Sequence, residues 1–521
     1  MLASRIRFLR AHTPHTRSLC PRVRHYSVPV KRSDLPPAFS AKRYAGHAEF
    51  ALDFFRRFIK FTAIGVVGVA FTTFTLWEGA HMYVENVELV PDIDPEVHKW
   101  EWDLEEERWG RGPSGGTDSG LGVKGSHAVR SAWMAQNWGV GTASKAPSPG
   151  MSGRHPGSGT GPGGLSVVEA RLEIAQAFLA VALQIAASRT EKLRPHTLVE
   201  LQQRHANILE RMGTRETLHE ARRVLERVWA SLPGQGIEAA RTALKLGDIN
   251  RRLGDDEDAL DWWARALQLV QEQNSRVPVT APPTTPASVP SSPLAQRTLI
   301  STLVSLSAFY ATARQLPQAQ SLEESALALL RSIRQPDSLE TAPPPQALHA
   351  LYILHRSSLL SIHLAEVLYA QRNGTQASLE WLARAAESSE RVALVLSGQP
   401  LIHPDAPQSK IPHPPSSETA LLPLYAKSRA MHKPAASLLR DARRTAAEAW
   451  NLMGILTEDS KAPGSQKQAF ECYERALGWA GVSGDRAGAV GKAGEGTLEA
   501  DWKLLWNNYV RARNALKKEE K

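Results

Sequence analysis

Residues 243–267 read ALKLGDINRRLGDDEDALDWWARAL, and their spacing decides the fold. Apolar and small residues recur every three or four positions as far as Leu253, the period of one helix face. Gly254 interrupts the run, and the period resumes through Ala259, Trp263, Ala266 and Leu267. Small residues at Gly247, Ala259 and Ala266 let two antiparallel helices come close. Leu246 and Trp263 fill the space beside them, and Gly254 permits the turn. The stretch predicts a tight helical hairpin.

The pattern recurs along the chain. Residues 303–327 repeat it with Leu303, Leu306, Ser307, Tyr310, Leu316, Ala319, Ala326 and Leu327. A third unit opens with Trp450, Met453 and Gly454 and closes with Ala469, Tyr473, Ala476 and Leu477. Weaker units run from Ile208 to Val228 and from Leu364 to Ala385. In this register the units resemble tetratricopeptide repeats (TPRs). That resemblance implies an all-α fold, a TPR-like α-solenoid over residues 165–521. Proline-rich insertions at 277–293, 334–346 and 400–423 separate the units and are expected to be surface loops or tethers. The apolar run 167–187 is expected to be well buried. Residues 498–518 are expected to form a capping helix with Trp502, Leu505, Tyr509 and Ala512 on one face.

Ahead of the repeats, Phe58–Trp77 reads FIKFTAIGVVGVAFTTFTLW, with no charge from Phe61 to Trp77. A bilayer-spanning helix needs roughly 20 mostly apolar residues. Trp77 and Tyr83 suit interfacial anchors. No other stretch reads as comparably apolar, so a single transmembrane helix over 58–77 is expected.

Charge is divided sharply about that segment. The chain carries 62 Lys and Arg against 53 Asp and Glu, a net +9; residues 1–60 hold 13 of the bases and 3 of the acids. The remainder is therefore near neutral, and a basic surface reaching for nucleic acid is disfavoured. Arg56, Arg57 and Lys60 before the span, with Glu78, Glu85, Glu88, Asp92 and Asp94 after it, place the N-terminus on the cytoplasm-like side, the matrix in a mitochondrion. Residues 1–33 are Arg-rich with no acid, the composition of a mitochondrial presequence. Arg24-His25-Tyr26-Ser27 suits a processing site, and 34–57 would be a matrix-side segment. Cys20 and Cys472 are the only cysteines, with no metal-ligand spacing.

Residues 78–164 read as a connector, acidic first and Gly-rich afterwards, with Trp100, Trp102, Trp109, Trp133 and Trp138. Gly/Ser-rich sequence behaves as flexible coil, yet so many indoles are unusual in an inert tether. They would dock on the protein's own domain or on a partner, with Trp100, Trp102, Trp133 and Trp138 as candidate docking residues; the alternative is anchoring in the headgroup layer.

A presequence, one span and a TPR domain facing the intermembrane space together resemble a fungal adaptor of the mitochondrial inner-membrane i-AAA protease. The resemblance implies a non-enzymatic protein that binds unfolded or membrane-protein clients and presents them to the AAA protease. The alternatives are an assembly factor for a respiratory complex, or an outer-membrane import receptor. No catalytic constellation is visible, and neither cofactor nor metal is expected. His355 and His363 read as surface positions, Cys472 as a packing residue. A TPR groove is lined by the first helix of each repeat, which places Arg241, Leu244, Lys245, Asp248 and Arg252 on it, with Val304, Ala308 and Asn451 from later units. The packing set is Leu246, Gly247, Gly254, Ala259, Trp263, Ala266, Tyr310, Ala319, Trp450, Gly454, Ala469, Tyr473 and Ala476.

Overall fold

The first helix, α1 (Ala41–Tyr83), runs 43 residues without a break, and no proline interrupts it. The computed structural model describes residues 41–139, 170–232, 236–271, 285–286, 288–372, 374–399, 420–460, 462–482 and 502–519. The expected presequence at 1–33, residues 34–40 and 140–169, and most of the 277–293 and 400–423 insertions lie outside them. The chain divides into two units, 1–77 and 78–521. In the first, the apolar side chains of α1 face outward, Phe71 at 70% and Val69 at 69% exposure. The Thr72 and Thr75 hydroxyls donate back to the carbonyls of Gly68 and Phe71 at 2.9 and 2.8 Å. A helix in lipid needs its polar groups satisfied internally in this way.

The second unit is all helix, with no strand among the described residues. After α1 comes a π-helical turn, Val84–Glu88, and the five-residue α2 (Pro95–Lys99), which Asp94 caps at the Glu96 amide. Then follow α3 (Gly122–Trp138) packed on α4 (Ala170–Ala187), α5 (Thr197–Met212) on α6 (Arg215–Ser231), and α7 (Ile237–Leu253) on α8 (Asp256–Val270). The row continues with α9 (Pro293–Thr312) on α10 (Leu316–Ser332) and α11 (Pro344–Ala370) on α12 (Thr375–Ser397). A single turn, α13 (Pro423–Ala426), leads to α14 (Arg429–Asp459) on α15 (Ser465–Trp479), and α16 (Trp502–Glu519) packs on α15. First helices also touch from hairpin to hairpin: α7 meets α9, α9 meets α11, and α11 meets α14.

The hairpin at 243–267 forms as its spacing requires. Gly254 takes φ 92°, the left-handed C-cap that ends α7. A Cβ on Gly247 would lie 2.5 Å from the Trp263 ring, so the glycine is what lets α8 seat its indole on α7. Leu246, Ala259, Trp263 and Ala266 are buried, as are Tyr310, Ala319, Ala469, Tyr473 and Ala476. Gly454 meets Tyr473 as Gly247 meets Trp263, at 2.6 Å. Trp450 is half-buried, its indole donating to Glu390 at 2.6 Å. Glu390 also accepts from the Trp479 indole at 2.7 Å and from both ends of the Arg475 guanidinium, so one carboxylate pins α12, α14 and α15.

Several expectations need correction. Residues 78–139 are no flexible linker: Trp102, Trp109, Leu121 and Trp133 are core, at 1, 2, 0 and 6% exposure. The acidic stretch folds because its indoles find apolar cavities among the helices, which outweighs its polar composition. Helix α4 is less buried than its sequence suggests. Leu172, Ala175, Leu179, Ala182 and Ala186 pack inward while Phe178 and Val181 stay exposed. It is also long and apolar enough to cross a membrane, as is the segment from Glu49 to Glu88, so the span helix is not alone in that respect. His355 and His363 are not surface residues. Both lie on α11, where buried His355 bonds Thr445 of α14 at 3.0 Å and half-buried His363 bonds Ser307 of α9 at 2.9 Å; burial holds their pKa values down at about 3 and about 4. Prolines open α9, α11 and α13 rather than merely ending what precedes them, as suits the first helical turn.

Candidate binding face of first helices and the strap across it

Between α1 and α3 the chain crosses the row as a strap, residues 89–118, with only short helical turns of its own. It touches the first helix of every hairpin from α5 to α14. On α5, Glu200 accepts the Gly110 and Gly112 amides at 3.0 and 3.1 Å, and the Thr197 hydroxyl donates to the Gly110 carbonyl at 2.8 Å. On α7, Arg241 donates to the Leu104 carbonyl at 2.8 Å. On α11, the Trp102 indole donates to the Pro345 carbonyl at 2.9 Å, and Trp100 stands against His349 at 5.2 Å. On α14, Arg429 reaches the Val90 carbonyl at 3.0 Å, and the capping Ser428 hydroxyl donates to Asp92 at 2.9 Å.

Arg297 of α9 is the centre of the arrangement. At 2% exposure it donates to the Trp100 and Glu101 carbonyls at 3.1 and 3.0 Å, to Glu105 at 2.5 Å, and lies 3.9 Å over the Trp102 ring. A rigid, always charged fork suits such a task, and stacking on an indole adds to it. Glu101 meets the start of the same helix, accepting from the Leu294 amide at 2.7 Å and the Ser292 hydroxyl at 2.5 Å. An acid at a helix N-terminus is favoured by the partial positive charge there.

Glu107 fixes the geometry of the whole row. Its carboxylate touches Arg204 of α5 at 3.0 Å, Lys433 of α14 at 2.8 Å and Gln136 of α3 at 3.4 Å. One carboxylate can reach helices so far apart in the row only if the row curls around it. Burial alone would raise this carboxyl; the cations beside it hold it instead at about 2. Its neighbour Glu106 lacks such a close cation. Burial, reinforced by Asp92, pushes it up to about 7 against the pull of Lys433 and Arg429.

The sequence-derived groove residues fare unequally. Arg241 holds the strap. Lys245 and Arg252 both pair with Glu210 of α5, at 3.6 and 3.7 Å, and Lys245 also bonds Asn207. Asp248 is held at about 6, raised by burial against hydrogen bonds from Ser305 and the Trp263 indole, the latter at 3.0 Å. Leu244 and Val304 are half-buried against the central core, with Ala308 half-buried nearby on α9. Asn451 is not on an open groove: it is 6% exposed and accepts from Asn508 of α16 at 2.9 Å, because the C-terminal helix covers that end of α14. Most of the candidate docking indoles dock on the protein's own helices. Trp102 and Trp133 are interior, Trp100 is half-buried in the strap, and Trp138 alone is open, at 44%, its ring 6.0 Å from Tyr83. The groove reading missed Glu200, Arg204, Arg297, Arg429 and Lys433. A signal existed: the fifth residue of α7, α9 and α14 is a cation in each case, Arg241, Arg297 and Lys433.

No family model matches this chain, and no curated protein matches it. Among solved structures it is similar to the crystal structure of BtubC (BKLC) from P. vanneervenii. The match has 19% identity over 49% of this chain and 81% of that one, with a TM-score of 0.32, too low to bear on fold or function.

Proposed function

We propose that this chain is a membrane-tethered adaptor with no chemistry of its own. In this reading α1 carries a single span over residues 58–77, with the N-terminus in the mitochondrial matrix. Residues 78–521 stand in the intermembrane space as a TPR-like solenoid. The solenoid binds unfolded or membrane-protein segments and presents them to an inner-membrane AAA protease. The observation that supports it best is the capture of a little-structured segment through its main chain. Arg241, Arg297 and Arg429 donate to strap carbonyls, and Glu200 accepts strap amides. Main-chain contacts hold an extended segment of many sequences, leaving the side chains beside them to set preference among clients. A membrane tether raises the local concentration of a captured client at the protease to roughly millimolar when the linker spans the two sites, so modest affinity suffices.

The reading is tested by client turnover. In cells lacking this chain, a misfolded inner-membrane client exposed to the intermembrane space should persist several-fold longer, and the intact chain should restore its decay. Unchanged turnover would count against an adaptor. External protease should spare residues 78–521 in intact mitochondria and digest them once the outer membrane is ruptured. Digestion in intact organelles would point instead to an outer-membrane receptor.

A further inference from the structure

The strap has the marks of a ligand laid on a face. Side chains of the row hold its backbone, as Arg241 and Arg297 do with the carbonyls of Trp100, Glu101 and Leu104, while Trp102 and Trp109 anchor it in apolar pockets of the row. Its charge is complementary to that of the face. Glu105 meets Arg297, Glu107 lies between Arg204 and Lys433, and Glu101 sits at the start of α9. Its fit is incomplete: the indole N–H groups of Trp100 and Trp109 are buried with no protein partner. Beside Trp100 a cavity of about 620 Å³ opens between the strap and the 333–343 loop, lined by Lys99, Gln296, Arg334, Gln346 and His349. One edge of the strap, at Trp100, therefore borders open space.

We infer that Trp100–Trp109 is a cis ligand of the first-helix face, and that this face takes in trans an extended polypeptide of the same chemistry, a tryptophan followed closely by carboxylates. The inference rests on the reading of that face as a binding surface and not on the protease. Because the strap is tethered, it competes at an effective concentration of roughly millimolar. A segment in trans binds weakly until the strap is loosened, and the face stays covered until such a segment arrives.

The probe is a fluorescein-labelled peptide of residues 97–109, VHKWEWDLEEERW, titrated by anisotropy against the full chain in detergent micelles. The double variant Trp102→Ala/Glu105→Gln should bind it at least ten-fold more tightly than the unaltered chain while keeping a cooperative helical melt. Glu105→Gln alone should give a smaller gain in the same direction, and adding Arg297→Ala to the double variant should abolish the gain. Three results would overturn the inference. One is no peptide binding to the double variant. Another is equal binding of a peptide with its tryptophans and glutamates replaced by alanine and glutamine. The third is loss of the cooperative melt in the double variant, which would make the strap inseparable from the fold. No protease enters this assay, so its failure is distinct from failure of the adaptor reading.

Discussion

A methyl group added to Gly247 would stand 2.5 Å from the Trp263 ring, with no room for the indole to retreat inside a close-packed hairpin. Gly247→Ala should cost about 1–3 kcal/mol, read as a lower thermal midpoint by circular dichroism; an unchanged midpoint would deny the close approach of α7 and α8. This contact was legible in the sequence because both partners belong to one hairpin. The Arg297–Glu105 pair was not, since its members are 192 residues apart and neither carries a local pattern. Glu106 supplies a pH signature. Its folded pKa of about 7 lies above the ordinary 4.5, so the folded state favours its proton. That stabilisation is full below about 4.5 and is lost as pH rises through about 7. Glu107, held at about 2, acts oppositely, its stabilisation present above 4.5 and lost as pH falls toward 2. Between pH 6 and pH 8 the titration of Glu106 should therefore lower the thermal midpoint, as should that of Glu323, which burial pushes up to about 8, while the buried His349, His355 and His363, held well below 6.5, act oppositely; Glu106→Gln should remove the Glu106 part alone, about 1–2 °C. A variant with the same pH dependence as the unaltered chain would place the titration elsewhere.

At the scale of elements, the carboxylate of Glu390 joins α12, α14 and α15 through two indoles and one guanidinium. Removing one member of a buried charged network leaves its partners uncompensated, at a cost of about 3–5 kcal/mol. Glu390→Ala should accordingly lower the midpoint and raise hydrogen exchange in α14 and α15 before α5 and α6; uniform exchange would mean the row melts as one block. The helical hairpins were legible because small and large residues alternate at fixed offsets within each. Their lengths were not: α11 and α14 run 27 and 31 residues, and the ends of such helices are set by what packs on them. The strap was hidden for a related reason. Composition marks an acidic Gly-rich stretch as a linker, whereas its fold depends on pockets built by residues one to three hundred positions later. The indoles were the only local hint.

For the whole molecule, a row of helices crossed by its strap shares one chain with a candidate span, and the proposed adaptor function joins the two. The most direct measurement is affinity capture of the full chain from mildly solubilised mitochondria, followed by identification of what comes with it. The account predicts recovery of a AAA protease together with partly unfolded membrane proteins, and retention of the protease but loss of the clients when Arg297 is changed to Ala. Recovery of respiratory-complex subunits without any protease would contradict it.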